Sequence, residues 1–267
     1  MALKLRELDI VESRAALDEL PEGKLMINTI NAHSYNVAQK DEAFAQALKA
    51  GVLIPDGTSI VKACRFIKAK SRPKEKIAGW DLFRYEMDKL ENGLSLYRLY
   101  GWDMFRYEKD ILEEGESSGE RKPIVALLGS SVPVLKKIEE RAQSEYPNLH
   151  LVTYSPPYKT EFSDEDNQKM IDFINQSSPD LLWVGMTAPK QEKWIYEHWD
   201  ELDINCHVGA IGAVFDFYAG TAQRAPIWWQ QHSLEWLYRL LKEPRRMWRR
   251  YLIGNIVFVY RIILEKL

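Results

Sequence analysis

The run DLLWVGM, Asp180–Met186, constrains this chain more than any other stretch. It has the length of a strand and is nearly all apolar, so it offers no face to solvent. That is the pattern of a parallel strand covered on both sides. A sheet of such strands needs crossover connections, and the rest of the chain supplies them. Lys24–Ile30 (KLMINTI) reads as a strand running into a polar stretch with Asn31, His33, Ser34 and Asn36, and Asp41–Ala50 as a helix ending at Gly51. Val52–Pro55 (VLIP) reads as a strand, and TSIVKACRFIKAK as the helix after it. Ile124–Leu128, Leu149–Tyr154 and Cys206–Val214 read as further strands, with helices over Val134–Gln143 and Asp164–Gln176. Four or five strand–helix units with few hairpin turns predict an α/β fold: a mostly parallel, Rossmann-like sheet covered by helices.

In such sheets ligands gather beyond the carboxyl ends of the strands. Asp56 has that address, leaving the VLIP strand at the lip of a cleft. The same position also suits a turn Asp that caps the following helix. Gly129-Ser130-Ser131 leads into a helix whose first N–H groups could receive a phosphate, but it has neither the GxGxxG nor the Walker spacing. After DLLWVGM comes TAPKQEKW, where Pro189 breaks the chain and Gln191 and Glu192 open a helix. Gly209 and Gly212 call for close approach, either by a ligand or by a neighbouring strand.

At 267 residues, 46% hydrophobic and 28% charged, the chain can bury one large core with an appendage. Two cysteines, Cys64 and Cys206, make no disulfide framework and read as reduced cytosolic thiols. The opening MALKLRELDIVESR lacks the apolar run of a signal peptide. Tyr251–Leu264, interrupted by Asn255 and Arg261, is too short and polar to span a bilayer, though it could lie on one. One internal echo occurs: GWDLFRYEMDKLENG from Gly79 and GWDMFRYEKDILEEG from Gly101. Both read as amphipathic helices, the first with Leu82, Phe83, Met87 and Leu90 on its apolar side. The second is a local duplication, and EEGESSGERK, Glu113–Lys122, is the most linker-like stretch. The chain therefore divides into a core over 1–220, with the duplicated helical segment at 79–122, and an appendage over 221–267.

That appendage is lopsided. From Thr221 onward nine Arg or Lys face three Glu, a formal +6, against −9 for the remainder. Trp228, Trp229, Trp236, Tyr238, Trp248 and Tyr251 are interleaved with the cations, a combination that suits anionic headgroups and an interfacial layer. Nucleic acid is disfavoured, because the core is acidic and the cations alternate with Trp, Leu and Ile. Pro244 separates SLEWLYRLLKE from a second helix it can begin. There Trp248, Leu252, Asn255 and Val259 make an apolar side for the headgroup layer. Packing on the core, or a homo-oligomer interface, is the other use of the same surface.

PDGTSIV (55–61), GMTAPKQEKW (185–194), VGAIGAVFDFYAG (208–220) and RAPIWWQQHSLEWLYRLLKEPRRMWRRY (224–251) resemble, in order, the motifs of the WecG/TagA/CpsF family of bacterial glycosyltransferases. The resemblance covers about residues 5 to 260. It implies a GT-E type fold, an α/β core whose C-terminal appendage meets the cytoplasmic face of the plasma membrane as a peripheral protein. The implied reaction moves a sugar from a UDP-sugar to a sugar on a polyprenyl diphosphate, with inversion, in wall teichoic acid, common-antigen or exopolysaccharide assembly. The GWDLFRYEMDKL wording is most similar to the xanthan-pathway branch, which implies glucose; the other branches imply N-acetylmannosamine or its uronic acid. By resemblance Asp56 is the general base, Thr29 and Asn31 the polar pair of the pocket, and Gln191 its glutamine. Lys76 stands where the family has an arginine, keeping the charge without the bidentate fork.

The residue types suit that chemistry. Displacement at an anomeric carbon needs a carboxylate to take the acceptor's proton and cations to hold the departing diphosphate. Asp56 answers the first need. Arg224, Arg239, Arg245, Arg246, Arg249 and Arg250 answer the second if the appendage folds over the cleft, or else they meet lipid phosphates. No His/Asp/Cys cluster has metal-ligand spacing, and His198 and His207 read as surface or packing residues. The chain is read as having no DxD triplet, the usual pointer to a metal-held nucleotide sugar, so neither metal nor cofactor is expected. The competing class is a non-enzymatic membrane-binding protein whose tail does everything. It leaves unexplained why Asp56, Gln191, Gly209 and Gly212 all fall at strand ends.

Overall fold

The computed structural model describes residues 3–92 and 121–267. The second copy of the repeat and most of the linker-like stretch lie outside the described residues. Among the described residues the sheet has six strands, one at each stretch read as a strand: β1 Leu25–Ile30, β2 Val52–Pro55, β3 Ile124–Gly129, β4 His150–Tyr154, β5 Leu181–Gly185 and β6 His207–Ala210. Their order is β2-β1-β6-β5-β3-β4, and every pairing is parallel.

Strand β5 is buried throughout, as a run without a polar face requires. Alternation in β3 shows both faces covered. Val125 and Leu127 join a cluster with Trp183, Phe83 and Tyr218, while Ala126 and Leu128 join Met170, Ile174 and Trp194 on the other side. The N-terminal segment guards the β2 edge: Val11 N donates to Leu53 O (2.8 Å) and Leu53 N to Asp9 O (3.1 Å).

The first copy of the repeat forms a helix, Gly79–Asn92, whose buried side includes Leu82, Phe83 and Met87. Its Glu86 accepts from the buried His207 Nδ1 (2.9 Å), whose Nε2 donates to Pro21 O (2.9 Å). The Pro21 carbonyl takes the Nε2 proton, and a carboxylate at Nδ1 favours a second proton on the ring. Burial depresses the His207 pKa, but Glu86 and the Pro21 carbonyl outweigh it and the net shift is upward. His207 is thus a packing residue, and His198 bonds locally to the Glu201 side chain (2.6 Å).

One element departs from the sequence expectation. The strand read over Cys206–Val214 stops at Ala210, and Ala213–Tyr218 is helical. AVFDFY has strand-like composition, but Gly212 N is bound to the Gln191 side chain (3.1 Å) and leaves the sheet. A neighbouring strand accounts for the glycines: a Cβ at Gly209 would overlap the Trp183 ring, and one at Gly212 would lie 2.6 Å from the Met186 carbonyl.

Beyond Gly220 the regular elements are all helices, over Ile227–Gln231, Glu235–Lys242, Pro244–Trp248, a π turn at Arg249–Ile253, and Gly254–Lys266. Pro244 takes the first helical turn, where its missing N–H costs nothing. This tail stands apart from the sheet but not from the core. Phe258 and Ile262 are buried with Leu3, Ile30, Tyr35 and Ile60, each burial contributing about 1.5–3 kcal/mol. Glu265 accepts from Leu5 N (3.1 Å), Arg6 N (2.7 Å) and Tyr35 Oη (2.7 Å), closing the last helix onto the first residues of the chain.

Candidate active site

The parallel register sets Thr29 against Ile54 and Ile30 against Pro55, so β1 and β2 end side by side. Asn31 follows the first and Asp56 the second. Asp56 N donates to Ile30 O (2.9 Å), which fixes the turn to the end of β1. Asn31 caps the helix Ala32–Ala38: its Oδ1 accepts from His33 N and Ser34 N, both at 3.0 Å. With its oxygen so committed, its Nδ2 points the other way and donates to Asp56 Oδ2 (3.4 Å). Asp56 does not cap the helix Thr58–Ile67, whose N-cap is Gly57 without a side-chain bond. Its carboxylate is therefore left for other work.

The pKa of Asp56 is raised. Burial is the largest cause, Glu235 adds to it, and Arg239, the Asn31 hydrogen bond and Arg250 oppose it. A carboxylate displaced in this direction is a stronger base than a free one.

The cations come from both sides of the junction between sheet and tail. Ile77 N donates to Pro55 O (3.0 Å), which sets Lys76 beside the end of β2. Lys76 Nζ reaches Glu235 Oε2 (2.8 Å) and Gln230 O (3.3 Å), and Arg224 Nε reaches Glu235 Oε1 (3.3 Å). Arg239, one helical turn beyond Glu235, lies over the Phe217 ring (5.4 Å) and acts on both Asp56 and Glu235. Arg250 buries its Nε without a hydrogen-bond partner among the described residues. Helix Ala32–Ala38 holds this end of the tail, through Asn36 Nδ2 to Gly254 O (2.7 Å) and Arg261 to Asn36 O (2.9 Å).

Of the residues singled out in the sequence, Asp56, Asn31, Lys76, Arg224, Arg239 and Arg250 converge here. Thr29 lies at the same edge: a Cβ at Gly79 would be 3.6 Å from its Cγ2, so the repeat helix begins against β1. Gln191 is placed differently. It is buried, and its Oε1 accepts from Met186 N and Gly212 N, both at 3.1 Å, clamping the ends of β5 and β6 together. Arg245, Arg246 and Arg249 are exposed on the outside of the tail. Arg246 pairs with Glu243 (2.8 Å), and Arg249 lies over Trp248 (5.3 Å). Trp248, Leu252 and Val259 are exposed on that outer side, along with Ile256 and Ile263.

Two acidic residues were missed. Glu235 holds Lys76 and Arg224 together, yet an acid four residues before an arginine reads as an ordinary helix pair. Glu192 is buried beside Gln191, whose Nε2 donates to it (3.0 Å), and burial pushes its pKa up to about 7. Its apolar neighbours in space are remote in sequence, so nothing local marks it.

A DxD-form triplet does occur, contrary to the sequence reading: Asp164-Glu165-Asp166. It sits in the first turn of the helix Asp164–Ser177, where Asp166 serves the capping box with Ser163 and pairs with Lys159 (2.6 Å). No helix among the described residues is long and apolar enough to cross a membrane.

The arrangement can therefore take a proton at Asp56 and hold a multiply charged anion beside it. The N-acetylglucosaminyldiphosphoundecaprenol N-acetyl-beta-D-mannosaminyltransferase of Bacillus subtilis (strain 168) is 28% identical over 228 residues, 85% of this chain and 75% of that protein. The protein of the same name from Staphylococcus aureus (strain MW2) is 26% identical over 243 residues, 91% and 81% of the two chains. The model of the Glycosyl transferase WecG/TagA/CpsF family matches residues 2–103 and 97–267, the two stretches meeting at the repeated GWD wording. With nearly its whole length matched, the chain belongs to the WecG/TagA/CpsF family of glycosyl transferases.

Proposed function

We propose that this chain is an inverting glycosyltransferase that moves a sugar from a UDP-sugar onto a sugar carried by a polyprenyl diphosphate. The observation that carries the reading is the Asp56 carboxyl at the end of β2, which caps no helix and lies within electrostatic reach of Arg239 and Arg250 across the junction with the tail. One base and one cationic pocket fit a single displacement. Asp56 takes the proton of the acceptor hydroxyl as that oxygen attacks the anomeric carbon. The bond to the diphosphate breaks on the opposite face, and Lys76, Arg224, Arg239 and Arg250 hold the charge that grows on the leaving group. The β linkage in the relatives' names is the expected product of inverting an α-linked nucleotide sugar.

For the donor, the relatives' names support N-acetylmannosamine and give none to the glucose implied by the repeat's wording. An acceptor of the relatives' kind, N-acetylglucosaminyl-diphosphoundecaprenol, is the natural first substrate. The outer side of the tail, with Trp248, Leu252, Val259 and the three exposed arginines, is the surface that would rest on the cytoplasmic face of the membrane. A homo-oligomer is the alternative occupant.

The test is a panel of UDP-N-acetylmannosamine, its uronic acid and UDP-glucose with that lipid-linked acceptor. Transfer of one sugar with inverted configuration is expected. No transfer and no donor hydrolysis with any of them would remove the reading. Since four cations can neutralise a diphosphate, activity should survive exhaustive chelation; a loss restored only by Mg²⁺ or Mn²⁺ would show that they do not suffice.

A further inference from the structure

Glu235 occupies a peculiar place: each of its carboxylate oxygens meets one cation, Oε2 with Lys76 Nζ at 2.8 Å and Oε1 with Arg224 Nε at 3.3 Å. We infer that Glu235 is an internal anion seated where the donor's diphosphate belongs, and that the donor displaces it on binding. The inference rests on the donor reading above and adds a residue that sets nucleotide affinity.

An ammonium and a guanidinium offer the same donors to a carboxylate and to a phosphate. Lys76, Arg224 and Glu235 each leave only about a fifth of the side chain exposed, so emptying the seat would strand two partly buried cations. A built-in carboxylate avoids that while no donor is present. Lys76 has a second partner, Gln230 O at 3.3 Å, which keeps it in place when the carboxylate leaves. Arg224 lies over the Trp80 ring (5.9 Å), a second hold of its own.

Glu235 cannot simply stay, because its two oxygens occupy the cations that a diphosphate would need. Lys76, Arg224, Arg239 and Arg250 face Glu235 and Asp56, an excess of two positive charges with both acids ionised. A diphosphate uses up that excess. A carboxylate retained among its oxygens then adds like-charge repulsion, and Glu235 already pushes the Asp56 pKa upward. Swinging Glu235 out leaves its two cations to the phosphates and lightens the negative field on the base.

The opposing reading makes Glu235 a clasp that only holds the tail on the sheet. Calorimetric titration with UDP separates the two, with melting curves taken alongside. Glu235→Gln keeps the shape and removes the competing charge, and should bind UDP about tenfold more tightly than the wild type. Inorganic pyrophosphate should show the same gain, and uridine none. A clasp predicts equal or weaker UDP binding in Glu235→Gln, and that result overturns the inference. Should wild type bind no UDP, the donor reading falls and this assignment with it. If wild type binds and the variant gains nothing, only the assignment falls. Should Glu235→Gln fail to fold, the wild-type complex with UDP decides. Lys76 and Arg224 should sit on phosphate oxygens, beyond the ~4 Å of an ion pair from Glu235. UDP bound with both pairs intact contradicts it.

Discussion

Arg250 buries its Nε and lies within electrostatic reach of Asp56, whereas Arg249, its neighbour in the chain, is exposed and stacks over Trp248. The same division runs through the tail. Arg224, Arg239 and Arg250 turn inward to the carboxylates; Arg245, Arg246 and Arg249 turn outward among exposed Trp248, Leu252 and Val259. One residue type thus faces two environments, and within the helices phase, not composition, decides which way an arginine turns. Consecutive residues on a helix point about 100° apart, so a run such as RRMWRR feeds both faces.

The largest effects should separate the two sets by what they impair. Arg239→Ala and Arg250→Ala should each cost roughly 10²–10³-fold in turnover, as loss of a charge-stabilising donor does, while binding to anionic vesicles is unchanged. Arg245, Arg246 and Arg249 changed together to Ala should weaken sedimentation with such vesicles. Basic residues near a membrane contribute about 1 kcal/mol each, so three amount to roughly a hundredfold. Turnover on a short-chain, water-soluble acceptor should persist in that triple variant. Exchanged phenotypes would break the division.

A finer contrast uses the adjacent pair. Arg250 holds the Asp56 pKa down against burial, so Arg250→Ala should raise it further. The base acts only when deprotonated, and the acid limb of kcat/KM should therefore move to higher pH. Arg249→Ala should leave that limb where it is in wild type. Identical profiles for the two variants would mean that Arg250 does not face the base.

Much of the core was legible because its signals are local. DLLWVGM shows a doubly covered strand by lacking any polar face, and VLIP followed by Asp56 places an acid at a strand end. What escaped depends on partners distant in sequence. Gln191 was visible at a helix start, but not that its oxygen is taken by Met186 N and Gly212 N. The inner line of the last helix, Phe258 and Ile262, was hidden because aliphatic residues surround that helix on every side. Glu235 was masked by its spacing from Arg239, and the helix at Ala213–Tyr218 by aromatic residues that favour strands. The outward stripe was readable in part: of Trp248, Leu252, Asn255 and Val259, read at helical spacing, all but the half-buried Asn255 are exposed.

The inward face matters only if Asp56 is the base it surrounds. The direct measurement compares wild type and Asp56→Asn for UDP binding, melting temperature and turnover on the lipid-linked acceptor. Asparagine keeps the shape and the contact with Asn31 but cannot take a proton. The variant should melt close to wild type and bind UDP at least as well. Its turnover should fall at least a hundredfold, within the roughly 10²–10⁴ that a general base contributes. Turnover within a few-fold of wild type, in a folded variant that binds UDP, would contradict the assignment.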